Sequence, residues 1–161
     1  EIIAGEWRQG KLWDIDYICR CSNECSDFWC DPPPELMYER RAVISPVANI
    51  YDTFRAREID LSYQAEKYYP VIVLYEYKSL YKIKDFEDDK GWVLKSDVED
   101  IQTVVVKSDH CKAYTGPSFR TVTLFSVGKG VSFKVLKREG NWIHVEHSDG
   151  DSGWIEERFL W

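Results

Sequence analysis

From Ala42 to Trp161, short runs of apolar and β-branched side chains alternate with polar turns, the spacing that builds sandwiches and small barrels. Residues 71–77 and 131–137 each predict a strand, and residues 80–84 and 142–147 predict the strands that follow them. An acidic tight turn comes next in each place, first Glu87-Asp88-Asp89 and then Asp149-Gly150-Asp151. Such residues tolerate the left-handed backbone that a hairpin demands. Beyond the turn a third strand opens on Gly91-Trp92-Val93 or Gly153-Trp154-Ile155, where the glycine permits close backbone approach or a bulge. Bending of that kind is what a small sheet needs to curl toward a barrel.

The two series are copies of one unit. Setting Leu80-Tyr81-Lys82-Ile83 on Trp142-Ile143-His144-Val145 brings the two Gly-Trp strands into line without a gap and puts Val98 on Leu160. Upstream, Val71-Ile72-Val73-Leu74 matches Val131-Ser132-Phe133-Lys134 once two extra residues are allowed in the hairpin holding Gly140-Asn141. Residues 42–100 and 101–161 are therefore expected to be two tandem all-β units. Only Ile101-Gln102 separates the repeated segments, too little for a flexible tether, so a nearly rigid pair is expected. Residues 1–41 differ in kind. They hold Trp7, Trp13, Trp29, four cysteines and Asp31-Pro32-Pro33-Pro34, which cannot continue a helix or a central strand, and they read as a cysteine-rich segment with a Pro-rich linker.

Composition strengthens the all-β reading, since seven Trp, ten Tyr and seven Phe supply the bulky side chains that pack on pleated surfaces. The net charge of −7 works against nucleic acid and anionic lipid, whose binding rests on Lys and Arg neutralising phosphates. The small basic group Lys134, Lys137 and Arg138 reads as a solvated hairpin edge. No run approaches the ~20 apolar residues of a membrane span, so a soluble chain is expected. It opens on Glu1 without a charged or apolar leader pattern, as a processed or trimmed form would.

Trp142-x-x-Val145, Asp149-Gly150, Gly153-Trp154-Ile155 and Phe159-Leu160 resemble the C-terminal half of the bacterial SH3 family. Ala113-Tyr114-Thr115-Gly116-Pro117-Ser118 is similar to a weakened form of that family's Asn-Val-Arg-x-Gly-Pro signature. In the first copy Ala48-Asn49-Ile50-Tyr51 stands at the same strand, with Asp52-Thr53-Phe54 in place of the Gly-Pro. The stretches from Tyr63 to Pro70 and from Lys84 to Trp92 resemble tandem SH3-domain proteins of delta-proteobacteria and their relatives. The resemblance implies two tandem small SH3-like β-barrels behind the cysteine-rich segment. It also implies an exported protein of the bacterial envelope, periplasmic or extracellular, in which such modules attach to cell wall, peptide or protein partners.

Four cysteines, Cys19, Cys21, Cys25 and Cys30, crowd into one short stretch of the N-terminal segment. Given the implied export, two disulfides are the favoured reading, ahead of a metal or free thiols; the Cys-x-Cys opening is atypical of structural zinc, and four cysteines allow three pairings. Haem attachment and ferredoxin-type spacings are absent, and no cofactor is expected. A cysteine hydrolase needs a His base near its nucleophile. The histidines are His110, His144 and His147; His110 adjoins Cys111 on a predicted strand, so the two side chains should face opposite ways. No enzyme is expected. His144 and His147 likewise read as surface residues, and Asp85, Glu87, Asp88 and Asp89 as a solvated turn rather than a cation site.

Aromatic residues remain as binding candidates. Trp92 and Trp154 are expected in the barrel cores. Tyr51, Tyr69, Tyr114 and Trp142 are the candidate recognition surface, because loop aromatics around SH3-like grooves receive extended or Pro-rich peptides. The alternative is that these rings seal the two barrels together. The expected function is non-catalytic binding or scaffolding, with a peptide or peptidoglycan as partner, or an accessory subunit docked on a larger envelope assembly.

Overall fold

The computed structural model describes residues 35–161. The cysteine cluster and most of the predicted N-terminal segment lie outside them. Seven strands, β1 (Glu39–Val43), β2 (Val47–Tyr51), β3 (Leu61–Glu66), β4 (Pro70–Tyr77), β5 (Leu80–Lys84), β6 (Lys90–Leu94) and β7 (Val98–Glu99), form one sheet in the order β3-β2-β6-β5-β4-β1-β7. Six more, β8 (Thr103–Val105), β9 (His110–Tyr114), β10 (Thr123–Gly128), β11 (Ser132–Glu139), β12 (Trp142–Glu146) and β13 (Ser152–Glu156), form a second, in the order β10-β9-β13-β12-β11-β8. The described residues are all-β, with 3₁₀ turns at Glu58–Asp60, Lys95–Asp97 and Glu157–Phe159 as their only helical turns.

The strand order of the second sheet repeats that of the first except for β7, whose counterpart is the single bridge between Val106 and Leu160, and the register shows how closely. Val73 pairs with Ile83 and Val135 with Val145, and a bulge follows each, before Tyr75 and before Lys137. Both hairpins close in two residues, Tyr77 opposite Leu80 and Glu139 opposite Trp142. The two extra residues expected in the second hairpin are therefore not there, and Val71 corresponds to Phe133, not Val131. The pattern could not choose, because a slip of two keeps every side chain on its own face of the strand. A second difference lies at the start. β1 takes in Glu39, Arg40 and Arg41, whose backbone pairs with β4 although their side chains read as linker.

Each sheet curls over its own apolar cluster. Val43, Ile50, Val71, Ile83 and Val93 fill the first, and Val106, Ala113, Phe133, Val145 and Ile155 take the same places in the second. The volumes compensate. Ala113 stands where the first copy has Ile50, and Phe133 where it has Val71, which keeps each interior filled at the density cores require. The Gly-Trp strand, β6 or β13, reaches across to β2 or β9 through Tyr51 opposite Trp92 and Tyr114 opposite Trp154. The preceding glycine makes room for it. A methyl at Gly91 would lie 2.5 Å from Ile50 Cγ2 and 3.2 Å from the Tyr51 carbonyl oxygen, and one at Gly153 would lie 3.0 Å from Ala113 Cβ.

The two sheets belong to one compact unit, Leu36–Trp161. The Arg40 guanidinium donates to the Thr103 carbonyl at 3.2 Å and lies 4.4 Å above the Trp161 ring. Phe86 meets Trp161 with centroids 6.4 Å apart, and Lys129 of the second copy pairs with Glu87 of the first. The acidic turn behind Phe86 is not simply solvated, as its sequence suggests. Asp85 is only 4% exposed, and its Oδ2 accepts the Tyr63 and Tyr69 hydroxyls, each at 3.0 Å. Its Oδ1 accepts the amides of Glu87 at 2.9 Å and Asp89 at 3.1 Å, so one buried carboxylate fixes the whole turn.

Three outcomes follow for stability. Turn positions Tyr68, Lys78 and Asp88 have positive φ, as do their counterparts Gly130, Gly140 and Gly150, which have open space around them. Lys78→Gly should then stabilise and Gly140→Ala destabilise by about 1 kcal/mol each in urea titration. Gly91→Ala, meeting Ile50 and backbone, should cost about 1–3 kcal/mol and more than Gly153→Ala. Burial, then the Asp85 charge, pushes the Tyr63 and Tyr69 hydroxyls well above the usual tyrosine value. Unfolded tyrosines ionise near pH 10, so this contribution is intact below about pH 10 and lost as pH rises beyond it. The double variant Tyr63→Phe, Tyr69→Phe should lose less urea resistance than the parent between about pH 9 and about pH 11.

Candidate functional site

Each sheet presents a row of directly paired side chains on the face away from its core. In the first sheet the row is Tyr75, Lys82, Trp92 and Tyr51. In the second it is Lys137, His144, Trp154 and Tyr114. Trp92 and Trp154 thus lie on the face away from the two apolar clusters, where core positions were expected. Trp92 is nevertheless 2% exposed, with Tyr75, Tyr77 and Phe54 at 5.6, 6.3 and 6.4 Å and the Lys82 ammonium 5.2 Å from its ring. Trp154 is half-buried and stacks on His144 at 4.9 Å with an 11° interplanar angle.

In the second sheet the rings gather beside Trp154 instead. Tyr114 at the end of β9, Phe119 in the 115–122 loop and Trp142 at the start of β12 form a triangle with centroids 5.6, 5.7 and 4.7 Å apart. All three pairs meet edge to face, an arrangement that satisfies the ring quadrupoles and presents both ring faces and ring edges rather than a flat platform. Phe119 is 52% exposed, and the Arg158 guanidinium stands 5.8 Å from its ring while binding Glu156 Oε2 at 2.7 Å. Aromatic rings kept half in water beside a solvated guanidinium are surface, and none of them belongs to the core cluster.

The loop carrying Phe119 is tied down by one hydroxyl. Thr121 Oγ1 accepts the Gly116 amide at 3.3 Å and lies 2.7 Å from the Ser118 carbonyl and 3.1 Å from that of Gly116; with one proton to give, the shorter contact takes it. The Thr115 amide reaches the Val122 carbonyl at 2.9 Å, and the Val122 amide returns to Thr115 Oγ1 at 3.2 Å. Gly116-Pro117 therefore opens a loop whose shape exists before any ligand arrives, which lowers the ordering entropy that binding must overcome.

Of the four aromatic candidates, the structure brings Tyr114 and Trp142 together. Tyr51 sits in the first sheet beside Trp92, its hydroxyl accepting from Asn49 Nδ2 at 3.4 Å. Tyr69 is held on Asp85 and meets Phe86 at 6.2 Å, on the way to Trp161 and the seam between the copies. Phe119 was missed. Its signal is a large apolar side chain in an otherwise polar turn segment directly after Gly-Pro-Ser. Cys111 faces the core, where burial pushes its thiol up to about 11, while His110 is exposed, so they cannot act as nucleophile and base. Cys19, Cys21, Cys25 and Cys30 lie outside the described residues. Among the described residues no His, Cys, Asp and Glu group could hold a metal ion, and no helix is long and apolar enough to cross a membrane.

Thr121→Val keeps the shape and removes the hydroxyl, and should cost about 1 kcal/mol in urea titration. Amide exchange across residues 115–122 should rise while that of β12 stays unchanged.

The sequence model for the bacterial SH3 domain matches residues 107–161, which hold the whole ring triangle. No curated protein matches the chain. Among solved structures it is similar to NlpC1 of Trichomonas vaginalis, at 14% identity and a TM-score of 0.37, over 78% of this chain and 46% of that one. An NlpC/P60 family protein from Bacillus cereus gives 14% identity and a TM-score of 0.37, over 76% of this chain and 56% of the other. The CBD of endolysin LysPBC5 gives 20% identity and a TM-score of 0.31, over 80% of this chain and 95% of the other. The chain spans about half the length of the two NlpC structures.

Proposed function

We propose that the chain is a non-catalytic binding protein of the bacterial envelope, exported and built on two tandem SH3-like barrels, whose second copy receives an extended peptide or cell-wall component. The carrying observation is the half-exposed triangle of Tyr114, Phe119 and Trp142 on a loop already fixed, inside the segment that matches the bacterial SH3 domain. Edge-to-face rings suit side chains or proline rings of an extended chain, because a group laid against them meets a ring face and a ring edge at once. The shared strand order and paired bulges of the two sheets support the tandem reading. The inward thiol of Cys111, set against an outward His110, supports a role without covalent catalysis.

Cosedimentation with purified peptidoglycan tests the wall version. The full chain should be retained above a non-binding control, and Phe119→Ala or Trp142→Ala should each lower its affinity about tenfold or more, as central aromatic anchors do. Tyr69→Phe, remote from the triangle, should leave retention unchanged. Equal retention of all variants removes the triangle from the site, and no retention of the parent chain removes the wall component as ligand.

A further inference from the structure

The second sheet ends on an edge that its sequence leaves unguarded. β10 has β9 on one side and no described strand on the other. Between Arg120 and Lys129 runs Thr121-Val122-Thr123-Leu124-Phe125-Ser126-Val127-Gly128, eight residues without a charge or a proline. Edges are ordinarily blunted by charges, prolines or covering elements, since a bare row of amides and carbonyls templates another strand. The corresponding edge in the first sheet, β3, shows that guarding: Arg57, Glu58 and Asp60 precede it and Glu66 and Lys67 close it. Val122, just before β10, is 69% exposed and Leu124 on it 49%, and Tyr114 of the ring triangle lies directly opposite Thr123.

Charge identifies what would fit there. Lys112 projects from β9 opposite Ser126, and Arg120 stands at the head of the strand; both are exposed, and among the described residues neither has an acidic partner. The overall charge of −7 does not cancel this, because screening confines it to about 8 Å at physiological salt. Antiparallel pairing of β10 with a second copy of itself would bring Arg120 of one strand toward Lys129 of the other, like against like.

We infer that β10 accepts an extended peptide as an added strand, one with apolar alternate side chains and carboxylates at its ends. The ligand's main chain pairs with the free edge, its apolar side chains cover Val122 and Leu124 and run onto Phe119, and its carboxylates meet Lys112 and Arg120. This rests on the reading of residues 107–161 as a peptide-binding module and names how that module holds its ligand.

The probe is a labelled nine-residue peptide, Asp at each end and alternating Val and Thr between, measured by fluorescence anisotropy on the full chain. Two further peptides carry N-methyl groups on alternate amides, one set for each edge of the strand, and a fourth ends in Lys. Methylating one edge should weaken binding about tenfold or more while methylating the other spares it, as loss of several main-chain hydrogen bonds predicts. The Lys-ended peptide should also bind more weakly, and β10 amides should exchange more slowly in the complex while β3 amides do not change. Equal binding of both methylated peptides, no binding of any probe, or no protection of β10 overturns strand addition. If Phe119→Ala still weakens wall retention in that case, the ring-triangle reading stands without it. Protection of β10 with no wall retention supports strand addition and overturns the wall ligand instead.

Discussion

The close approach of the Gly-Trp strand to the strand four places earlier in each copy is the constraint on which the rest depends. β6 must lie against β5 along its whole length and also touch β2 at Tyr51, and β13 does the same with β12 and Tyr114. A side chain at Gly91 would push that contact apart and open the space that Ile50 fills. With the approach made, each sheet wraps its own apolar cluster and turns the tryptophan outward into a row of exposed or covered rings. The second copy eases the same demand by carrying Ala113 where the first has Ile50. Position of the ring triangle therefore follows from a glycine, since Tyr114 stands where it does because Trp154 is brought beside it.

How much of this was legible in the sequence depended on what each residue had to do. The Gly-Trp strands and the acidic turns were readable because backbone geometry leaves few choices there: Gly150 and Asp88 do have positive φ. Hairpin length was not readable, since a slip of two residues preserves the facing of Val71, Val131 and Phe133. The first copy was harder than the second, because Tyr68, Lys78 and Asp88 hold left-handed backbone without glycine to advertise it.

The candidate site was half legible. Tyr114 and Trp142 could be named from their places beside a Gly-Pro loop and at a strand start, but their partner Phe119 gains meaning only when Thr121 folds the loop back. Asp85 misled. An aspartate in an acidic run looked solvated, whereas it is buried and accepts the hydroxyl of Tyr69, one of the candidate rings. Residue type signals polarity, and whether a polar group is solvated or satisfied internally is decided by long-range packing that no local pattern contains. The outward turn of both tryptophans was missed for a related reason, since strand alternation fixes relative facing but not which face is the core.

Arg40 lies over Trp161, so the first strand of the unit and its last residue share one contact, with Phe86 completing the bridge between copies. The two ends of Leu36–Trp161 are thus gathered at a single point. Tension carried along the backbone would enter and leave the unit at neighbouring places, leaving β9, β10 and the rings around Phe119 off the line of force. Under such a pull the contacts that Arg40 and Phe86 make with Trp161 meet the load before the rings around Phe119 do.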